Sequence, residues 1–158
     1  MSTPSTLPSQ KPSAPSAPAS ASTNKPLYVL DAFAMFALLQ NEKGATTVAN
    51  LIERAQNDEI RLRLSLINWG EVLYTIEREQ GQERFMQWKS KVASLPILLA
   101  QVSQARIERA AHIKSHRSVS YADSFATALA KELDAIVVTG DKEFKSVEKL
   151  ISVLWLER

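Results

Sequence analysis

The chain has 158 residues, of which 45% are hydrophobic, 19 are Lys or Arg and 17 are Asp or Glu, and it has no cysteine. This length suits one domain with a single core, and the lack of cysteine excludes a disulfide scaffold and a thiolate metal site. A formal charge of +2 argues against a nucleic-acid binder that relies on bulk charge, and no apolar run reaches the roughly 20 residues that cross a bilayer, so we expect a soluble, cytoplasmic protein.

Residues 1–26 consist mainly of Pro, Ser, Ala and Thr and contain no acidic residue. Such a segment buries too little apolar surface to offset the entropy of ordering, so we predict a disordered tail. It also lacks the apolar core of a secretory signal. Lys11 and Lys25 lie in this tail, which leaves 17 basic and 17 acidic residues in residues 27–158. The predicted domain, 27–158, is therefore neutral, and any nucleic-acid contact it makes is expected to be local and metal-assisted.

The first half of this domain alternates strands and helices. Residues 27–30 form a short apolar run rich in strand formers, and residues 60–66 alternate apolar and polar side chains with the period of a strand. Helices are predicted elsewhere because apolar residues recur at helical spacing and glycines end the runs. The predicted helices cover residues 32–40, 45–56 and 68–79, the last of them opened by Asn68.

The second half continues the alternation. A helix over residues 82–93 ends before Pro96, and Ser103 caps a helix that runs to about residue 115. The other predicted elements are an apolar strand at 97–99, a helix from Ser120 or Tyr121 to 133, a β-branched strand at 136–139, a helical turn near Phe144 and a strand at 151–155. This order predicts an α/β fold, a single three-layer α/β/α domain with a central, mainly parallel sheet.

Four acidic residues stand where a strand meets a helix or where a helix begins: Asp31, Glu71, Asp123 and Asp141. The carboxyl ends of parallel strands and the amino ends of the following helices share one edge of the sheet, so these side chains are expected to converge. Carboxylates packed together repel one another or take up protons unless a cation offsets their charge. Mg²⁺ and Mn²⁺ prefer oxygen ligands, and Mg²⁺ also binds substrate phosphates. The pattern therefore indicates a metal site for phosphate chemistry.

Helix capping is the alternative interpretation of all four acids. The first and last of them could be ordinary N-caps, and the pairs Asn68–Glu71 and Ser120–Asp123 have the spacing of a capping box. However, Asn68 and Ser120 could each cap a helix alone, so the acids that follow them are not needed for capping. This redundancy favours the metal interpretation.

Four segments, in order and spacing, carry a resemblance to a known family: VLD at 29–31, NWGEV at 68–72, YADSFATALA at 121–130 and IVVTGDKEF at 136–144. The chain resembles the PIN-domain ribonucleases over essentially residues 27–156, and most closely the toxins of VapBC-type toxin–antitoxin pairs. The resemblance implies a compact α/β/α domain that cuts single-stranded or loop RNA with Mg²⁺ or Mn²⁺ and leaves a 5′-phosphate and a 3′-hydroxyl. The implied metal and catalytic residues are Asp31, Glu71, Asp123 and Asp141, with Thr139 as a supporting hydroxyl.

The resemblance to the toxins also implies a homodimer and a cognate antitoxin protein. The apolar helix from Phe33 to Leu39 has hardly any polar face, so part of it is predicted to contact one of these partners. Phe33 is also a departure, because many family members have a small hydroxyl residue two positions after the first acid. A hydrogen bond that orients Asp31 is then missing or supplied by another group. Two alternatives stay open: a PIN-like module that binds RNA or a partner without cutting, and an RNA-processing nuclease without an antitoxin.

Basic and imidazole side chains precede the segment that bears Asp123. Lys114, His116 and Arg117 are expected to contact RNA phosphates, the alternative being a solvated loop. His112 and His116 are four positions apart, as in a helical zinc pair. We expect instead that they are solvated residues near a helix end, where the helix dipole favours positive charge.

Overall fold

Five parallel strands form the sheet in the computed structural model, which describes residues 24–158. Their order across the sheet is β3-β2-β1-β4-β5, and each neighbouring pair is parallel. The strands are β1 (Leu27–Leu30), β2 (Arg61–Ser65), β3 (Ile97–Ala100), β4 (Ile136–Thr139) and β5 (Ser152–Trp155). With helices on both faces, this sheet confirms the predicted three-layer α/β fold.

The helices connect these strands in the predicted order. They are α1 (Ala32–Gln40), α2 (Ala45–Gln56), α3 (Leu66–Ala93), α4 (Gln104–His116) and α5 (Tyr121–Leu133), and a short 3₁₀ helix (Lys142–Val147) follows β4. Inside α3, Gly81 has a non-helical, left-handed backbone (φ 84°, ψ 172°), which glycine adopts without steric cost. Gly81 thus separates two helical segments, as the sequence predicts.

The centre of the sheet is a switch point in the chain connections. Leu30 of β1 pairs with Leu64 of β2 on one side and with Val138 of β4 on the other. The chain first moves outward from β1 through β2 to β3, and then returns to place β4 on the opposite side of β1. In open α/β sheets, such a point leaves a crevice at the carboxyl ends of the strands. Here the crevice lies where β1 and β4 end.

Alternating side chains of the central strands build a core on each face of the sheet. Leu30 and Val138 belong to the core on one face, whereas Val29 and Val137 belong to the core on the other. All four side chains are 0% exposed. Burial of each such side chain stabilises the fold by roughly 1.5–3 kcal/mol. The two strands that border the crevice are therefore held on both faces.

The predicted junction between β2 and α3 is wrong. Helix α3 begins at Leu66, not at Asn68, because the Ser65 hydroxyl accepts a hydrogen bond from the backbone N–H of Ile67 at 3.2 Å and caps the helix. Strand β2 accordingly ends at Ser65, one residue before the predicted end. Asn68 lies inside the first turn of α3, where it is fully buried.

Most of the predicted tail, residues 1–23, lies outside the described residues. At its end, the Lys25 ammonium lies 2.5 Å from the carboxylate of Asp58, and the Pro26 carbonyl accepts a hydrogen bond from the backbone N–H of Arg61 at 2.9 Å. Across residues 24–158, no helix combines the length and the apolar character that a membrane crossing requires.

Helix α1 is covered by its own domain more completely than its apolar sequence suggests. Five of its side chains are buried: Ala32, Ala34, Met35, Ala37 and Leu39. Phe33, Phe36 and Leu38 are half-buried and pack against the core. The surface that 33–39 leaves for a partner is therefore limited to parts of these three side chains, and the partner contact stays a prediction.

Candidate active site

Asp31 follows β1 directly and is held by two hydrogen bonds. Its Oδ1 accepts a bond from the backbone N–H of Ala34 at 2.8 Å, so Asp31 is the N-cap of α1. Its Oδ2 accepts a bond from the hydroxyl of Thr139, the last residue of β4, at 2.5 Å. The same Thr139 oxygen accepts a bond from the backbone N–H of Asp141 at 2.9 Å. Because β1 and β4 are neighbours, Thr139 can join the two acids that follow them.

All four predicted acids line one cavity of about 200 Å³ at the carboxyl ends of β1 and β4. The structure thus brings together residues that are up to 110 positions apart in the chain. The lining contains five carboxylates and, within the described part of the chain, no lysine, arginine or histidine. The residues that line it are Asp31, Ala32, Phe33, Phe36, Glu71, Ser120, Asp123, Asp141 and Glu143.

The capping interpretation holds for only part of this set. Asp31 caps α1, and Asp141 caps the 3₁₀ helix by accepting a hydrogen bond from the backbone N–H of Glu143 at 2.9 Å. Helix α5 is capped by Ser120, whose hydroxyl accepts a hydrogen bond from the backbone N–H of Asp123 at 3.0 Å. The carboxylate of Asp123 is therefore not needed as a cap. It is almost fully buried in the cavity wall, at 6% exposed.

Glu71 lies in the second turn of α3, a helix that Ser65 caps. Its Oε2 is inaccessible to solvent and, among residues 24–158, has no hydrogen-bond partner. Leaving a charged oxygen buried and unpaired is costly, and a bound cation would remove that cost. Both polar atoms of Asn68, one turn earlier, are also buried without a partner in the described structure.

Burial and mutual repulsion raise the pKa of three carboxyl groups. Burial raises the pKa of Asp31 to about 8, with smaller contributions from the charges of Asp123 and Asp141, although the bonds from Thr139 and Ala34 act in the opposite direction. The pKa of Asp123 is raised to about 7, again chiefly by burial. Burial also raises the pKa of Glu71. Without a cation, Asp31 and Asp123 therefore retain protons well above the usual pH range of a carboxylic acid.

The fifth carboxylate of the cavity, Glu143, is not among the four acids that the sequence pattern indicates. Its Oε2 accepts a hydrogen bond from the backbone N–H of Ser120 at 2.8 Å, which joins the 3₁₀ helix to the start of α5. An acidic residue in the first turn of a helix is common for dipole reasons alone, so its position in the sequence is not diagnostic. Only its contact with Ser120, which is distant in sequence, distinguishes Glu143 from other acidic residues near helix starts.

The donor set suits a hard cation that keeps part of its water shell. Among residues 24–158, no three acidic or histidine side chains are close enough to form a preassembled metal cage. The carboxylates of Asp31, Asp141 and Glu143 instead accept hydrogen bonds from their neighbours. Mg²⁺ is commonly held by one or two carboxylates together with waters and substrate phosphates. A cavity that offers carboxylate oxygens and space for water meets that requirement.

The predicted RNA contacts lie outside this cavity. Lys114, His116 and Arg117 are exposed at the end of α4 and just after it. The loop that follows is tied to the 3₁₀ helix, because the hydroxyl of Ser146 donates to the carbonyl of Ser118 at 3.2 Å. The rings of His112 and His116 are 4.4 Å apart, but no third ligand joins them within the described residues. The structure therefore provides no complete zinc site at this pair.

Phe33 forms a wall of the cavity instead of supporting Asp31. The ring packs so closely over Gly140 that a Cβ added there would lie 2.5 Å from Cζ of Phe33, a distance that real Cβ contacts essentially never show. Thr139 and the backbone of Ala34 together engage both oxygens of Asp31. The orienting hydrogen bond that Phe33 cannot make is thus supplied from β4.

The PIN domain family profile matches residues 28–150. Similar solved structures include VapBC2 from Rickettsia felis bound to a DNA fragment from its promoter (17% identity, TM-score 0.66, 83% of this chain and 99% of that chain). They also include VapC20 from Mycobacterium tuberculosis, a toxin that cleaves the sarcin-ricin loop (16% identity, TM-score 0.61, 76% of this chain and 94% of that chain). A third is DNA-bound VapBC from Salmonella typhimurium (18% identity, TM-score 0.63, 82% of this chain and 97% of that chain). These likenesses show a shared fold. No curated protein matches the chain.

Proposed function

Because the chain belongs to the PIN domain family, we propose that it is a metal-dependent endoribonuclease that cuts RNA phosphodiester bonds with Mg²⁺ or Mn²⁺. The observation that carries this proposal is the convergence of four acids in one cavity at the switch point of the sheet. Two of these acids, Glu71 and Asp123, do not cap their helices, and Glu71 has a buried oxygen without a partner. Helix capping alone does not account for that arrangement.

The proposed metal-holding and catalytic residues are Asp31, Glu71, Asp123 and Asp141. When bound, the cation would polarise the scissile phosphate and lower the pKa of a coordinated water. Thr139 holds Asp31 and the backbone of Asp141 in a fixed relation, so it acts as a positioning residue. In-line attack on the phosphate would leave a 5′-phosphate and a 3′-hydroxyl.

Asp123 is the proposed proton acceptor for the attacking water. Its carboxylate lines the cavity and is not needed to cap α5, so it can accept a proton from a water bound there. The exposed cations Lys114, His116 and Arg117 would contact RNA phosphates outside the cavity. Such contacts steer and hold the strand, whereas the acids carry the chemistry.

We further propose that the protein acts in the cytoplasm as the toxin of a type II toxin–antitoxin pair, with a cognate antitoxin protein as partner. The support is the likeness in fold to the VapBC proteins of Rickettsia felis and Salmonella typhimurium. A homodimer contact through the half-buried side chains of α1 is part of the same proposal. Sedimentation of the purified protein and of a Leu38→Glu variant tests the dimer contact. A natural protein with the mass of a dimer and a variant with the mass of a monomer would support the contact. The same mass for both proteins would contradict it.

The nuclease proposal is tested by cleavage of total cellular RNA with the purified, antitoxin-free protein. Reactions contain Mg²⁺, Mn²⁺ or EDTA, and the variants are Asp31→Asn and Asp123→Asn. Asp134→Asn is a matched control, because Asp134 is exposed at the other end of α5 in a left-handed conformation that asparagine tolerates. Discrete fragments that require metal and both active-site acids, but not Asp134, are the expected result. Fragments that persist in Asp31→Asn or Asp123→Asn would contradict the proposal.

A further inference from the structure

A second cavity of about 590 Å³ adjoins the cavity of the acids. Two residues, Phe33 and Asp141, line both. The remaining lining residues are Glu42, Lys43 and Arg158. Its volume falls within the roughly 300–1,000 Å³ of ordinary small-ligand sites. A ligand with one phosphate at the acids can therefore extend past Asp141 into this second space.

The second cavity combines an aromatic surface with two cations. Arg158 is anchored because its Nε donates a hydrogen bond to the carbonyl of Gly140 at 2.5 Å, and its guanidinium carbon lies 6.0 Å from the centre of the Phe33 ring. The anchoring bond occupies one of its five N–H donors. The Phe33 ring is half-buried and packed against Gly140. The side chain of Lys43 is exposed at the rim.

We propose that this second cavity is a nucleotide-binding subsite, in which one unpaired base next to the scissile phosphate stacks on Phe33. This inference rests on the proposed function, because it assigns a place to the RNA that the acids would cut. The flanking phosphate contacts Arg158 and Lys43, whose positive charges suit it. The carboxylate of Glu42 accepts a hydrogen bond from a ribose hydroxyl or from an amino group of the base.

RNA fits this space better than a protein segment does, for two reasons. The cavity shares Phe33 and Asp141 with the proposed phosphate-cleaving site, so the two sites are neighbours and one strand can occupy both. Base stacking on an aromatic ring together with cations along the backbone is the usual chemistry of single-strand binding. A base inside a duplex is already stacked and cannot reach Phe33, so this subsite also favours single-stranded or loop RNA.

The binding test uses a short oligouridylate that carries one 2-aminopurine, whose fluorescence falls when the base stacks. The protein carries Asp123→Asn to prevent cleavage. We expect quenching on binding. Phe33→Leu should abolish the quenching and weaken binding roughly tenfold, and Phe33→Tyr should preserve both. Arg158→Gln should weaken binding and leave the quenching at saturation unchanged. Phe85→Leu is the matched aromatic control, because Phe85 is half-buried on α3 and lies outside both cavities.

A cleavage measurement with the otherwise unaltered protein separates this subsite from the nuclease proposal. Phe33→Leu should raise KM about tenfold with little change in kcat, because stacking binds the substrate without taking part in the chemistry. Quenching that depends on Phe33 without any cleavage would support the subsite and refute the nuclease. If Phe33→Leu cleaves RNA with the KM of the natural protein and quenches the fluorescence as strongly, the subsite proposal is wrong and the nuclease proposal is supported.

Thermal melting identifies a variant that fails to fold. If Phe33→Leu fails to fold, the subsite is tested with the double variant Lys43→Gln and Arg158→Gln. Both changes remove charge from exposed residues, so this variant is expected to fold. Unaltered RNA affinity in that double variant overturns the proposal, and weakened affinity supports it. Loss of binding to a cognate antitoxin in Phe33→Leu, with normal RNA quenching, would assign the cavity to a protein partner and also overturn it.

Discussion

The hydroxyl of Thr139 donates a hydrogen bond to the carboxylate of Asp31, a residue 108 positions earlier in the chain. The same oxygen accepts a hydrogen bond from the backbone N–H of Asp141. One hydroxyl group thus sets the relation between the first and the last of the four acids. Among the small side chains, only those of threonine and serine carry a hydroxyl group, which can donate one hydrogen bond and accept another.

Replacement of Thr139 by valine keeps the shape of the side chain and removes both hydrogen bonds. We expect Thr139→Val to lower metal affinity or cleavage activity about 10–100-fold, because Asp31 loses its orienting partner. Isothermal titration with Mn²⁺ and the RNA cleavage rate measure the two effects. Thr139→Ser, which retains the hydroxyl, should stay within a few-fold of the natural protein. Full activity and metal affinity in Thr139→Val, with a loss in Thr139→Ser, would show that the methyl group, and not the hydroxyl, matters.

The stability of the metal-free protein should fall as the pH rises from about 4 to about 8. The ordinary pKa of Asp31 and Asp123 is 3.8, and burial raises these values to about 8 and about 7 in the folded protein. The folded state therefore binds more protons than the unfolded state, and its advantage is full below about pH 4 and is lost by about pH 8. Melting temperatures measured with EDTA across this range test the prediction, and a flat profile would contradict it. Saturating Mg²⁺ should reduce the slope, because a bound cation favours the ionised carboxylates.

Asp31→Asn should separate stability from activity. The new amide can accept a hydrogen bond from Ala34 and donate one to Thr139, so the local structure is expected to persist. At about pH 8.5 and without metal, the variant should be more stable than the natural protein, by about 1–3 kcal/mol, since no buried carboxylate needs to ionise. Cleavage should fall at least ~100-fold. Urea unfolding and RNA cleavage give the two quantities. A variant that is both active and less stable would be incompatible with a metal role for Asp31.

Gly140→Ala should destabilise the protein by about 1–3 kcal/mol, because the new methyl group must displace the ring of Phe33. The cost should nearly disappear in a Phe33→Ala background, where the ring is absent. A double-mutant cycle of urea unfolding measures this coupling, expected to be about 0.5–3 kcal/mol. Gly70→Ala is the control, since a Cβ there meets nothing within 4 Å. Additive costs at residues 33 and 140 would mean that the cost of Gly140→Ala does not come from the ring of Phe33.

The arrangement of strands and the meeting of the acids could be predicted because both depend on regular rules. A residue that follows a parallel strand must lie at the carboxyl edge of the sheet, so the positions of Asp31 and Asp141 can be predicted without knowing how the side chains pack. The start of α3 was harder. Ser65 and Asn68 are both good caps three residues apart, and the alternation of residues 60–66 favoured a longer strand. The choice of Ser65 depends on where the helix docks, which is a tertiary matter.

The contacts between distant segments could not be predicted from local pattern. The hydrogen bond from the backbone N–H of Ser120 to Glu143 joins the start of α5 to the 3₁₀ helix, 23 positions later. The packing of Phe33 over Gly140 likewise requires the precise separation of β1 and β4. The sequence shows Phe33 only as a departure from the family pattern. It does not show that Thr139 compensates for it.

The pairing of β1 with β4 has a consequence for the timing of synthesis. A polypeptide leaves the ribosome from its amino end, so Asp31 emerges early, whereas β4 and Asp141 emerge only when most of the domain has been made. Before that moment the crevice has only one of its two walls, and Asp31 lacks the hydroxyl that orients it. A nascent chain would therefore assemble the cavity of the acids only near the end of its synthesis.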